Sequence, residues 1–202
     1  MPGLLILGAG GHGRVVADAA LRAGAWDAVA ATDRNASRCQ GELLPGVALL
    51  DPAPSLAAAA HVHIAIGSAR SREQEAAQVT GSLATVVHPQ ASLSRAARVG
   101  EGCFIAAQAI VGPCAVLGRC VIVNHGAVVD HDVTVGDFSH IAPLAALGGA
   151  VKIGQRVLIG SGASVLPGVS IGDDVIVGAG AVVNVDLRDA GTYVGVPARR
   201  VK

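Results

Sequence analysis

A six-residue repeat constrains the fold of this chain more than any other feature of its sequence. Every sixth residue from Leu93 to Val183 is aliphatic, which makes sixteen consecutive positions without an exception. An α-helix turns about every 3.6 residues and cannot hold such positions on one face. The period therefore predicts short strands joined by turns and stacked as the coils of a parallel β-helix.

The composition fits a narrow, closely packed interior. Hydrophobic residues make up 51% of the 202 residues but aromatic residues only 2%, and 27 glycines are available for tight corners. Lys and Arg together number 15, as do Asp and Glu, so no overall charge favours nucleic acid or an anionic membrane. No stretch approaches the ~18 apolar residues of a membrane span, and we expect a cytoplasmic protein without membrane insertion. The four cysteines form no CxxC motif, and no metal site is expected.

The first part of the chain has a different pattern, in which short apolar runs alternate with helical stretches. The first apolar run ends in a glycine-rich turn, where Gly8, Gly10 and Gly13 satisfy the G-x-G-x-x-G pattern. Asp33 lies twenty residues after Gly13, close to the end of the next apolar run. This order predicts a small parallel α/β domain of about five strands with a Rossmann-like phosphate-binding turn.

The glycine-rich turn has two interpretations. Glycines let the backbone approach a phosphate, and the following helix N-terminus favours a negative charge. A tight strand-to-helix turn without a ligand would show the same residues. The domain is too short for the second half of a dinucleotide-binding fold, so one nucleotide fits better than NAD, and a nucleotide-sugar carries the same diphosphate. Gly67 follows another apolar run and would lie at the same sheet edge.

The repeat also assigns a position to each polar residue of the β-helix. Three repeats form one triangular coil of eighteen residues, so Gly149 lies one coil beyond His131 on the same corner. His140 is nine residues from His131 and belongs to the opposite flat side, which Asn124 borders at a corner. One chain cannot easily unite these sets, whereas three prisms in a ring could. We therefore expect a homotrimer whose site combines His131 and Gly149 with His140 and Asn124 of the neighbouring subunit.

His131 stands between two carboxylates, Asp130 and Asp132. A carboxylate beside a histidine holds one tautomer and raises the basicity of the ring, which suits a general base near neutral pH. A solvated corner with three polar residues would give the same sequence, so this hypothesis remains one of two. No Ser or Cys stands in a position that predicts a covalent intermediate.

Four stretches of the chain are similar to one family. They are GAGGHG near the start, NHGAVVDHDVTVGDFSHIAPLAALGG and VLPGVSIGDDVIVGAGAVV in the repeats, and YVGVPARRV at the end. Over residues 3–201 the chain resembles the bacterial sugar acetyltransferases of the hexapeptide-repeat class, especially those that acetylate UDP-linked 4-amino sugars. Sialic acid O-acetyltransferases share this architecture. The resemblance implies a Rossmann-like α/β domain at residues 1–88 for the nucleotide-sugar, and a left-handed parallel β-helix at residues 89–202 for acetyl-CoA and catalysis.

The resemblance also implies roles for individual residues. His131 would be the general base that deprotonates the sugar amine, and Asp132, where many relatives carry Glu, would raise its basicity. The backbone N–H of Gly149 would stabilise the oxyanion in a direct transfer that needs no metal. Thr32 replaces an acidic residue of some relatives, which leaves the nucleotide base open. Acetyl-CoA would be held by Asn124, His140, Gly149, Ser161 and Ala179, and the nucleotide-sugar by Gly10, Gly11, His12, Asp33 and Gly67.

Several functions remain compatible with the sequence. The first is an acetyltransferase that moves acetyl from acetyl-CoA to the amine of a nucleotide-linked sugar, for which the resemblance implies a UDP-4-amino-4,6-dideoxy sugar. The second is O-acetylation of a sialic-acid-like sugar, for which the first domain would need no nucleotide. The third is a scaffold without catalysis. A nicotinamide-dependent oxidoreductase is the weakest alternative, because nothing in the repeats suggests hydride transfer.

Overall fold

The computed structural model describes residues 2–201. By internal contacts the chain forms two compact units, residues 1–89 and residues 90–202. The first unit has α/β structure and the second consists of stacked β-strands. None of the helices in the described range is long and apolar enough to cross a membrane.

The first unit alternates strands and helices in the order predicted. Its elements are β1 (Gly3–Leu7), α1 (Gly11–Ala23), β2 (Ala28–Thr32), a 3₁₀-helix (Ala36–Arg38), β3 (Glu42–Leu44), β4 (Val47–Leu49), α2 (Pro52–Ala58), β5 (His61–Ile64), α3 (Ala69–Ala76), β6 (Ser82–Leu83) and β7 (Val86–Val87).

The sheet of the first unit has the strand order β3-β4-β2-β1-β5-β6. All its pairs are parallel except β3 with β4. Four of the five β1 residues are buried, as expected for a central strand covered on both faces. From β1 the chain continues to β2 on one side, and it later returns to add β5 on the other side of β1. The edge between β1 and β5 is therefore the topological switch point of the sheet, where ligands of open α/β sheets bind.

Two details of the first unit differ from the sequence prediction. The sheet has six strands rather than about five, because Glu42–Leu44 adds a three-residue edge strand too short to show a hydrophobic period. The apolar spacing after the turn predicts a helix over residues 14–23 that Gly24 stops. Helix α1 begins earlier, at Gly11, so part of the glycine-rich turn is itself helical. The helix ends at Ala23 as predicted, and Gly24 caps it with a left-handed backbone at φ 62°.

The second unit confirms the six-residue repeat, since each aliphatic position closes a short strand. The sixteen repeat strands are β8 (Ser92–Leu93), β9 (Arg98–Val99), β10 (Phe104–Ile105), β11 (Ile110–Val111), β12 (Val116–Leu117), β13 (Ile122–Val123), β14 (Val128–Val129), β15 (Thr134–Val135), β16 (His140–Ile141), β17 (Ala146–Leu147), β18 (Lys152–Ile153), β19 (Leu158–Ile159), β20 (Ser164–Val165), β21 (Ser170–Ile171), β22 (Val175–Val177) and β23 (Val182–Val183), and β24 (Gly191–Val194) and β25 (Arg199–Arg200) follow.

The strands of the repeat pair with a spacing of eighteen residues. Ile122 of β13 pairs with His140 of β16, which pairs with Leu158 of β19. The same spacing holds on the other two sides of the prism. Parallel strands lie about 4.8 Å apart, so each coil advances the prism by that distance. A side chain's position along the prism can therefore be read from its residue number.

Ser139 shows how the interior of the prism can hold a polar side chain, because both hydrogen-bonding functions of its hydroxyl have partners. Ser139 is fully buried two residues before an aliphatic position. Its hydroxyl donates to the carbonyl of Gly154 at 2.8 Å and accepts from the N–H of Val157 at 3.0 Å. A buried hydroxyl without partners would cost about 1–3 kcal/mol. Ser139 is thus a structural residue that bridges two coils.

Candidate functional site

The carboxyl ends of β1, β2 and β5 open on a cleft of about 450 Å³. A second cavity of about 380 Å³ lies between the sheet and α2, but its lining is apolar except for Ser55. Of these two cavities, only the first is lined by charged side chains. It brings together the five residues that the sequence assigned to the nucleotide-sugar: Gly10, Gly11, His12, Asp33 and Gly67.

The glycines of the turn fall into two pairs. A side chain at Gly13 would collide with the carbonyl oxygen of Gly8, and a Cβ at Gly8 would lie 2.7 Å from the carbonyl oxygen of Ala65. By contrast, a Cβ at Gly10 or Gly11 would meet no atom within 4 Å. The fold therefore requires glycine at Gly8 and Gly13, whereas the absence of side chains at Gly10 and Gly11 keeps one side of the cleft open.

Asp33 connects the glycine-rich turn to the end of β2. Its Oδ2 accepts from the N–H of Ala9 at 3.0 Å, and its Oδ1 accepts from the N–H of Asn35 at 2.9 Å. Both oxygens keep further lone pairs, so the carboxylate can still accept from a ligand hydroxyl. Thr32, in contrast, is fully buried and donates its hydroxyl to the carbonyl of Leu50 at 2.8 Å. It belongs to the core rather than to the cleft.

Sequence reasoning missed the cations of this cleft. Arg34 and Arg38 line it beside Asp33, and Glu75 of α3 completes the wall. The Arg34 guanidinium lies 2.7 Å from Glu75 Oε2 and 3.0 Å from Gln78 Oε1, so it is held in place across the cleft. Both arginines closely follow Asp33, and that proximity to a strand end was the available signal.

In the second unit, His131 lies on an exposed corner after β14. Its Nδ1 is 2.8 Å from Asp132 Oδ2, and its backbone N–H donates to Asp130 Oδ1 at 2.7 Å. The hydrogen bond to Asp132 and the charge of Asp130 raise the pKa of His131 above its ordinary value of 6.5. A carboxylate only accepts hydrogen bonds, so the proton of the neutral ring lies on Nδ1 and the lone pair on Nε2.

Gly149 lies against the His131 ring, one coil farther along the prism. A Cβ at Gly149 would lie 2.5 Å from Nε2 and 2.6 Å from Cε1 of His131. The N–H of Ala150 donates to the carbonyl of His131 at 3.0 Å and fixes the two corners to each other. Only glycine therefore lets the basic nitrogen sit against this backbone, which suits proton transfer beside a backbone donor.

The other residues assigned to acetyl-CoA lie on a different side of the prism. Asn124 follows β13 at a corner, and its Nδ2 is 3.1 Å from Nε2 of His140 on β16. Ser161 and Ala179 lie on the same corner, two and three coils beyond His125, the residue next to Asn124, and both are exposed. The structure thus groups these four residues, whereas His131 and Gly149 lie on another corner of the same chain. Residues 2–201 hold no group of three or more His, Cys, Asp or Glu side chains arranged to bind a metal ion.

Matches to family models give the broad class of protein to which the chain is similar. Residues 3–79 match the family model of the PglD N-terminal domain, and residues 150–184 match that of the bacterial transferase hexapeptide (six repeats). A glycine-turn α/β unit is here followed by the β-helix of a hexapeptide-repeat transferase. No curated protein matches the chain.

Solved structures narrow the class to a family. The acetyltransferase domain of PglB from Neisseria gonorrhoeae FA1090 is 34% identical, with a TM-score of 0.92 and 100% of both chains covered. The structure of that domain in complex with acetyl coenzyme A is also 34% identical, with a TM-score of 0.91 and 98% of each chain covered. A histidine-to-asparagine variant of perosamine N-acetyltransferase from Caulobacter crescentus, in complex with CoA and GDP-perosamine, is 35% identical, with a TM-score of 0.91 and 100% of this chain and 98% of that chain covered. The chain belongs to the hexapeptide-repeat sugar acetyltransferases.

Proposed function

We propose that this protein transfers the acetyl group of acetyl-CoA to the amino group of a 4-amino-4,6-dideoxy sugar linked to a nucleoside diphosphate. The observation that carries the proposal is the His131 ring, which Asp132 holds with Nε2 as its basic atom against Gly149. The relatives support it, because one was solved with acetyl coenzyme A and another with CoA and GDP-perosamine.

His131 acts as the general base of a direct transfer. The sugar amine attacks the thioester carbonyl carbon while Nε2 of His131 accepts the proton that the amine loses. The negative charge moves to the carbonyl oxygen, where the N–H of Gly149 stabilises it. Collapse of this intermediate breaks the C–S bond, and the proton passes from His131 to the departing CoA thiolate. Asp132 keeps the proton on Nδ1 throughout and stabilises the imidazolium.

The cleft of the first unit holds the nucleotide part of the acceptor. The diphosphate lies against Gly10 and Gly11 at the N-terminus of α1, where backbone N–H groups and the helix dipole favour negative charge. Asp33 accepts a hydrogen bond from a ribose or base donor. The family resemblance implies UDP, whereas the Caulobacter relative was solved with a GDP-sugar, so these two nucleotides are the ones to compare.

A mass-spectrometric acetyl-transfer assay across UDP- and GDP-linked amino sugars tests this function. We expect an acetylated product with at least one nucleotide-linked 4-amino sugar, together with calorimetric binding of its nucleotide. Acetylation of a free sialic-acid-like sugar without nucleotide binding would favour O-acetylation instead. Absence of acetyl-CoA binding at millimolar concentration would reject enzymatic transfer altogether.

We further propose that the working site needs two chains of a homotrimer. His131 and His140 are half a coil apart and lie on different sides of one prism, so a neighbouring subunit must bring them together. Light scattering should give a mass about three times 20.0 kDa.

Mixing two variants, each of which lacks one of the two histidines, tests the shared site directly. His131→Ala and His140→Ala chains, unfolded and refolded together, should regain part of the activity, because some interfaces combine an intact His131 with an intact His140. Each variant refolded alone is the control. If the mixture gains nothing, both histidines act within one chain or not at all.

A further inference from the structure

We infer that Asn124 is a positioning residue that holds His140 in the tautomer with its proton on Nδ1, so that Nε2 is an acceptor. Two contacts carry this inference. The N–H of His125 donates to Asn124 Oδ1 at 2.9 Å, and Asn124 Nδ2 lies 3.1 Å from His140 Nε2.

The backbone fixes which way the Asn124 amide points. An Asn side chain has an accepting oxygen at one end and a donating NH₂ at the other, and density alone rarely separates them. Turning the amide over would set the NH₂ of Asn124 against the N–H of His125, which are both donors. A backbone N–H cannot become an acceptor. The oxygen therefore faces His125, and the NH₂ faces His140.

The amide in turn fixes the ring of His140. A nitrogen that faces an NH₂ donor at 3.1 Å forms a hydrogen bond only through its lone pair. The proton of the neutral ring must then lie on Nδ1. The backbone polarity of one corner thus sets the tautomer of a histidine on the neighbouring coil, since Ile122 of β13 pairs with His140 of β16.

The two histidines of the site are consequently prepared for opposite tasks. His131 meets a carboxylate at Nδ1 and keeps a lone pair on Nε2, so it accepts a proton. His140 meets a donor at Nε2 and carries its N–H on Nδ1, so it donates a hydrogen bond to an acceptor oxygen or nitrogen of the acyl donor. The task toward acetyl-CoA rests on the proposed function, whereas the tautomer does not.

The tautomer can be measured without any substrate. In the folded trimer or monomer at neutral pH, long-range ¹H–¹⁵N correlations of His140 should show the Nδ1–H pattern, assigned by its loss in His140→Gln. An Nε2–H pattern in the unaltered protein overturns the inference at once.

Variants at Asn124 and at the neighbouring His125 then test which residue sets the tautomer of His140. Asn124→Asp places an acceptor where the NH₂ was, so His140 should change to the Nε2–H pattern. His125→Ala is the matched control, because it removes a neighbouring imidazole but keeps the backbone N–H, and it should leave the Nδ1–H pattern intact. If Asn124→Asp folds and retains the Nδ1–H pattern, Asn124 does not position the ring.

Kinetics separate this inference from the proposed function. A lost hydrogen bond to the acyl donor should raise the KM for acetyl-CoA roughly fivefold in Asn124→Asp, while the acid limb of the pH profile set by His131 stays in place. A change of tautomer with no shift in KM would overturn the task assigned to His140. If no amino sugar is acetylated by the unaltered protein, yet both NMR patterns are as expected, the proposed function fails and the tautomer assignment stands.

Discussion

One histidine in each unit shows how differently the two folds use the same side chain. His63 lies within β5 of the α/β sheet, fully buried, with Nδ1 2.8 Å from the carbonyl oxygen of Ala84. Burial lowers its pKa to about 4. His131 lies on a solvated corner of the β-helix, where carboxylates raise its pKa. A strand interior removes charge, whereas a corner keeps water and charged neighbours within reach, so chemistry is expected at the corner.

The largest expected effect is that of replacing His131, and it tests directly whether the exposed histidine does chemistry that the buried one does not. If it is the general base, His131→Ala should lower kcat by roughly 10²–10⁴-fold, the usual contribution of such a residue. Circular dichroism should show an unchanged fold, because the side chain is exposed. Asn184→Ala, an exposed substitution on the same corner of the prism, is the control. An unchanged rate in His131→Ala would remove this histidine from the mechanism.

His63 should instead make the first unit sensitive to acid. Its pKa is near 6.5 in the unfolded chain and about 4 in the folded chain, so the unfolded state binds more protons between these values. The stabilisation is complete above pH 6.5 and is lost as the pH falls toward 4, by about 3 kcal/mol in total.

Trp26, the single tryptophan, lies in the first unit and reports its unfolding. Denaturant titrations followed by its fluorescence at pH 7 and pH 5 measure the loss. His63→Gln should flatten the pH dependence, and an equally steep dependence in that variant would contradict the assignment to His63.

A methyl group at Gly149 should disturb the site without disturbing the prism. The added Cβ meets the His131 ring, so the ring must move, and a displacement of about 1 Å can cost 10²-fold in rate. We expect kcat of Gly149→Ala to fall by about that factor with little change in thermal stability. Val185→Ala, on the same corner two coils farther along, should keep its rate. A Gly149→Ala enzyme with full activity would show that His131 does not act from this position.

The two pairs of glycines in the first unit should respond in opposite ways. Gly13→Ala drives a Cβ into the backbone of Gly8 and should destabilise the protein by about 2 kcal/mol. Gly10→Ala meets open space, so stability should change by less than about 0.5 kcal/mol. In that variant, the KM for the nucleotide-sugar should rise by about tenfold, because one methyl blocks the approach of the phosphate. Equal stabilities, or an unchanged KM in Gly10→Ala, would contradict this division.

Asp132→Asn should have the smallest effect on the rate, but it is the most specific test of what raises the pKa of His131. As the proposed general base, His131 would act only when unprotonated, so we expect activity to fall as the pH drops through its raised pKa. Removing the carboxylate lowers that pKa, and the acid limb of kcat/KM should therefore move to lower pH while the plateau rate also declines. Asn tolerates the φ of 59° at this position. An acid limb that stays in place would assign it to another group.

The sequence predicted the β-helix in detail because its pattern is local. Every aliphatic position from Leu93 to Val183 closes a strand, and the eighteen-residue spacing places Gly149 against His131 as expected. The α/β unit was less predictable, because its edge strand β3 depends on pairing with β4 rather than on a period of its own. Arg34 was missed for the same reason, since its partner Glu75 lies 41 residues away.

The site depends on both kinds of information. Residue spacing put His140 and Asn124 on one side of the prism, but their mutual orientation came from the backbone N–H of His125, which no spacing reveals. The grouping of Gly10, Asp33 and Gly67 followed from the rule that strand ends share an edge. Which of the glycines the fold itself requires became visible only from the neighbouring carbonyl groups.

The constant register of the coils has a consequence for how such a chain can change its length. Deleting one residue between two strands would turn every later side chain inside out, because successive strand residues point to opposite faces. Deleting or duplicating a block of eighteen would shift all later residues by one whole coil and preserve which of them face inward. Beyond Gly149, the prism can therefore be shortened or extended in steps of about 4.8 Å, so the reach of its outer wall can evolve while the corner at His131 stays the same.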